Sequence, residues 1–200
     1  MGHRVAACAI VFTSAFGLGV PAARAAFEFK TAPALPTLTS VTLNAKVQTV
    51  NTTMTNFAVT DTRGTKSGWN VTVAGQAGEK KSAVFAQYCP VAKCGATPEG
   101  YVAAGQKMAA NSLKLNSTGA TFTGGTGSAP TLQCSTACNV DSATAVKIAS
   151  AATGGAGEST WTTTGFSATS LALTVPTTLR ALPSEEVYRV NILWTLATGP

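Results

Sequence analysis

Chemistry in this 200-residue chain would have to come from cysteines, carboxylates and tryptophans, because its one histidine is His3, at the very start. With no other histidine, no Ser-His or Cys-His nucleophile pair can be assembled from the rest of the chain. Two of the eight carboxylates, Asp61 and Asp141 included, could in principle meet as acid and base for glycoside hydrolysis. No spacing singles out a pair. All lie in segments that read as turns or ends, where charged side chains stay solvated. No catalytic residue and no cofactor is expected. Cys89, Cys94, Cys134 and Cys138 could form a zinc cage or two disulfides. Their spacings are wider than a zinc knuckle, and export to an oxidising compartment favours disulfides, so no metal site is expected. Three pairings are open to four cysteines. The short separations favour Cys89–Cys94 and Cys134–Cys138 over a crossed arrangement.

Export is read from the N-terminus. Met1 to Arg4 is short and basic, Val5 to Val20 is mostly apolar, and Pro21-Ala22-Ala23-Arg24-Ala25 ends in an Ala-x-Ala pattern. Residues 1–25 are therefore expected to be a secretory signal peptide, whose removal takes away Cys8 and His3 as well. The apolar run is broken by Thr13, Ser14, Gly17 and Gly19, which argues against a membrane anchor. Without Arg4 and Arg24, 12 basic residues face 8 acidic ones, a charge of about +4. With no basic run longer than Lys80-Lys81, this is not a nucleic-acid footprint.

The elements that must position these residues read as strands. Residues 26–37, with Pro33 and Pro36, read as a lead-in segment. From Leu38 onward Thr and Gly are frequent, charges are sparse, and helical periodicity is missing. Trp69, Val71 and Val73 alternate with polar residues, as do Tyr188, Val190, Ile192, Trp194 and Leu196. This pattern puts both sets on buried faces and leaves Arg189 on an outward face. Asp61-Thr62-Arg63-Gly64 suits a type I turn, making 55–74 a hairpin-like unit. Residues 142–152 are Ala-rich but fit a short strand, and Gly154-Gly155-Ala156-Gly157 reads as a turn. Many short strands with frequent turns predict an all-β fold, a β-sandwich of mostly antiparallel strands stapled by two disulfides. One domain over 38–200 is expected, with a cysteine-containing elaboration at about 80–145. Trp161, among threonines beside the glycine loop, is the candidate exposed aromatic for ligand binding; the binding residues are otherwise unknown.

Two stretches resemble a known family. Phe57-Ala58-Val59-Thr60-Asp61-Thr62-Arg63-Gly64, followed by Gly68-Trp69-Asn70-Val71-Thr72-Val73, is similar to the proximal motif of WxL-domain proteins. Tyr188 through Trp194-Thr195-Leu196 is similar to the distal motif. Val71 stands where the family has Leu, and Glu185-Glu186-Val187 precedes Tyr188 where a Gly-containing turn is expected. The resemblance implies a secreted, non-catalytic surface protein that binds the Gram-positive cell wall non-covalently through peptidoglycan. Trp69, Val71, Tyr188, Trp194 and Leu196 would then mark the family from within the core. No Leu-Pro-x-Thr-Gly run and no apolar tail follows Leu196, so no membrane anchor is expected after signal cleavage. The alternative is a structural or adhesin subunit that joins other surface proteins through strand edges.

Overall fold

The computed structural model describes residues 25–183 and 185–200. Apart from Ala25, the expected signal peptide lies outside the described residues. Threonine and branched apolar residues give fifteen short strands, with no helix among the described residues, so none that is long and apolar enough to cross a membrane. In chain order the first five are β1 (Phe27–Thr31), β2 (Gln48–Thr52), β3 (Ala58–Asp61), β4 (Trp69–Gly75) and β5 (Ala86–Cys94). Then come β6 (Thr97–Tyr101), β7 (Leu113–Leu115), β8 (Thr121–Thr126), β9 (Thr131–Leu132) and β10 (Cys138–Asn139). The last are β11 (Val146–Ala151), β12 (Glu158–Thr164), β13 (Leu171–Val175), β14 (Val187–Arg189) and β15 (Ile192–Thr198).

They form four antiparallel sheets, ordered β1-β3-β12-β8, β10-β7-β13-β2, β15-β4-β11-β9 and β14-β5-β6. Strand alternation sends one face of the larger sheets into a shared core: Val59 and Phe122 from the first, Leu171 and Leu173 from the second, Trp69 and Val71 from the third. The all-β class and the two local disulfides are as the sequence predicts. Cys89–Cys94 spans 5.8 Å between Cα atoms and Cys134–Cys138 spans 5.2 Å. Residues 146–151 of the Ala-rich segment form strand β11.

Three local expectations are corrected. β3 and β4 lie in different sheets, so residues 55–74 are not a hairpin. In place of a hairpin turn, the Asp61 carboxylate accepts the Arg63 backbone N–H at 3.1 Å, bending the chain out of one sheet and towards the next. The closing run is not one strand either. β14 pairs with β5, β15 pairs with β4, and the chain changes sheet at Val190-Asn191. Asn191 holds that corner: its N–H donates to Ser82 O (2.8 Å), its carbonyl accepts Gln76 N–H (2.7 Å), and its Oδ1 accepts Ser82 N–H (3.2 Å). Arg189 is not outward-facing. It is 8% exposed, because both faces of β14 are covered, and its guanidinium lies 4.3 Å from the centre of the Tyr88 ring.

The segment read as a lead-in supplies β1, which pairs with β3, and Leu35, which is buried. The span 80–145 contributes Leu113, Leu115, Phe122 and Val140 to the common core.

Candidate functional site

The two tryptophan motifs come together as neighbouring strands. Antiparallel pairing of β4 and β15 sets Trp194 opposite Val73, Leu196 opposite Val71 and Thr198 opposite Trp69. Opposed residues share a face, so both motifs point their apolar side chains inward. Trp69, Val71 and Val73 are fully buried. Trp194 and Leu196 are half-buried and pack against the core from the sheet edge. Trp69 meets Phe122 edge-on at 5.9 Å and donates its indole N–H to Gly157 O at 3.1 Å. Gly157 closes the glycine-rich turn with φ +72°, and a Cβ there would sit 2.5 Å from Trp69 Nε1. The turn therefore serves as the lid of the tryptophan.

A charged joint fastens the proximal motif to the distal one. The Asp61 carboxylate accepts from Arg63 Nε (2.9 Å) and Nη2 (2.8 Å), while Arg63 Nη1 donates to the Thr198 hydroxyl at the end of β15. The same guanidinium lies 3.5 Å from the centre of the Phe27 ring. The hydrogen bond from Arg63 holds the Asp61 carboxyl below the usual carboxylate range, and Asp61 in turn raises Arg63.

Tyr188 is buried, donates its hydroxyl to Arg180 O at 2.8 Å, and is pushed up by burial to about 12. The turn before it does contain a left-handed residue, but it is Glu185, with φ +72°, where the family resemblance called for glycine. Trp161 is not exposed as expected. Only 6% of it is accessible, its indole N–H donates to Glu158 O at 2.8 Å, and a Cβ on Gly125 would come within 2.0 Å of its ring. In this structure it offers no stacking face.

Among the carboxylates, Asp61 is taken up by Arg63. Asp141 is fully buried, and its oxygens accept the backbone N–H groups of Ser112 (3.0 Å) and Leu113 (2.9 Å). Burial raises it to about 6. Glu186 is buried beside Gln87, whose amide donates to it. Among the described residues no three His, Cys, Asp or Glu side chains lie together in a way that could hold a metal ion.

The motif strands leave an accessible outer face. Asn70, Thr72 and Ala74 of β4 lie beside Leu193, Thr195 and Ala197 of β15, with Lys147 and Ser150 of β11 across from them. Leu193 is 45% exposed and Thr195 is exposed. At the other end of the same sheet, β9 borders a groove of about 570 Å³ whose far wall leads into β8. Periodicity could have named the outer face, since it is the complement of the buried set. The groove could not be named from sequence, because it is assembled from the 117–122 and 129–135 segments of two different sheets.

These features define an all-β surface module whose two Trp-x-aliphatic strands are paired in one sheet. A family model described as WxL domain, surface cell wall-binding, matches residues 18–200. The chain belongs to the WxL domain family, a family of cell wall-binding surface domains and not one of enzymes. The match begins inside the expected signal peptide. No curated protein and no solved structure matches the chain.

Proposed function

We propose that this protein is secreted and attaches non-covalently to cell-wall peptidoglycan, without catalysis. The observation that carries this reading is family membership over nearly the whole chain, together with the paired motif strands. The architecture supports it: the motif residues act from inside, organising the β4–β15 pair and presenting an outer face of threonine, serine and asparagine interspersed with Ala74, Leu193 and Ala197. Such a face, with Lys147 as its charge, suits contacts to the largely neutral glycan strand of the wall better than electrostatic capture of an anionic polymer. Sedimentation of the purified protein with isolated sacculi, in low and high salt, tests the reading. The protein pellets in both, and sacculi incubated with it release no soluble fragments. A protein that stays in the supernatant, or fragments that appear, would sink it.

The second reading is association with other surface proteins through strand edges. β15 favours it, being a seven-residue outer strand with no charge and no proline. Light scattering across concentration and with candidate surface proteins separates the two readings.

A further inference from the structure

β8 is the outer strand of one sheet and β9 the outer strand of the motif sheet, and the groove lies where these two edges adjoin. One wall is the 117–121 turn running into β8. The other is Ala129–Leu132, joined by Ser135. The walls are fastened to each other: Ser117 N–H donates to Cys134 O (3.1 Å), Thr118 Oγ1 to Ser135 O (3.0 Å), and Ser117 Oγ to Gln133 O. The Cys134–Cys138 disulfide closes the loop from behind. Phe122, in the lining, is locked edge-on against Phe57 at 5.8 Å and Trp69 at 5.9 Å. The cleft is thus preformed, so a ligand need not order it first.

Its chemistry is specific in two respects. No lining residue is charged. The exposed hydroxyls of Thr121, Thr131 and Ser135 border it and make no hydrogen bond among the described residues, so each can donate and accept. The lining also carries the apolar residues Ala120, Pro130 and Leu132. A sugar ring, with hydroxyls at its rim and C–H groups on its faces, matches that mixture of free hydroxyls and apolar surface. An anionic polymer would find no cation there. An extended peptide would need a strand edge to template it, but β9 is two residues long and β8 lines the groove only with Thr121 and Phe122.

We propose that this groove is a subsite for a short neutral sugar chain, an inference that rests on the wall-binding reading and assigns it to the glycan strand of the wall. Amide NMR on the purified protein tests it with three probes: chitotetraose, a wall-stem tetrapeptide, and polyglycerol phosphate. Chitotetraose shifts amides within 117–135, and the other two leave them in place. Thr131→Arg and Ser135→Arg fill the groove from exposed positions and weaken the sugar's apparent affinity by about tenfold or more, roughly the loss of one good contact. Their thermal melts stay at the wild-type value. Groove amides that ignore chitotetraose, or that answer the peptide or the anion instead, overturn the assignment. If wild-type protein pellets with sacculi while chitotetraose moves nothing in the groove, the groove fails and wall binding stands. If the sugar shifts the groove but the protein does not pellet, the wall reading fails and the groove stands.

Discussion

Trp69 and Trp194 occupy similar sequence motifs on paired strands, yet they meet different surroundings. β4 has β15 on one side and β11 on the other, and Trp69 is fully enclosed, with Phe122 against its ring and Gly157 accepting its N–H. β15 is an outer strand, and Trp194 covers the core's margin while staying half-exposed. The same Trp-x-aliphatic pattern therefore has two structural meanings, set by strand position and not by the motif itself. One tryptophan fills the core; the other seals an edge.

That contrast can be broken or sharpened by mutation. Trp69→Ala is expected to cost about 3–5 kcal/mol, since it empties a closed site. It also strands the Gly157 carbonyl. Trp194→Ala should cost distinctly less, about 1–3 kcal/mol, because its side chain is part-exposed at the sheet edge and leaves no closed cavity. Chemical denaturation of both variants checks this, and equal losses would erase the distinction. Gly157→Ala comes next, at about 2–3 kcal/mol, because it combines a left-handed backbone with overlap onto Trp69. In a Trp69→Ala background its effect should shrink but not vanish, because the left-handed backbone and the overlap with Ala151 Cβ, 2.4 Å from the added Cβ, remain.

Acid separates the joint between the motifs from the rest of the fold. Asp61 is lowered by Arg63, so its contribution is present above the unfolded carboxyl range and lost as pH falls through its folded value. Asp141 works in the opposite sense. Raised from 3.8 to about 6 by burial, it favours the folded state below about pH 4 and loses that contribution as pH rises through 6. Stability should fall between pH 4 and 6, and Asp141→Asn should flatten that segment while Asp61→Asn leaves it intact. The smallest effect is expected at Glu185, where φ is +72°. Glu185→Gly should stabilise the protein by up to about 1 kcal/mol, raising the thermal midpoint by a few degrees.

Much of this was legible in the sequence because burial and periodicity agreed. Trp69-Asn70-Val71-Thr72-Val73 alternates cleanly, and β4 buries one face and leaves the other part-exposed, as read. Tyr188 to Leu196 alternates just as cleanly, but its break at Asn191 is made by Ser82 and Gln76, more than a hundred residues upstream. Nothing local announces it. Arg189 illustrates the same limit: a charged residue on the polar side of a strand reads as exposed unless the covering ring, Tyr88, is already known. Trp161 read as exposed because threonines flank it, yet Thr163 beside it is also buried, its hydroxyl bonded to both the N–H and the carbonyl of Phe57. Threonine can line a buried face when its hydroxyl finds a backbone partner.

The most direct measurement is pelleting of the purified protein with sacculi stripped of protein and of anionic polymers, followed by boiling in detergent and mass analysis of what is released. The account predicts that the protein pellets with bare peptidoglycan and is recovered in full at its unmodified mass. Failure to pellet with stripped sacculi, or protein that stays attached through boiling, would contradict it.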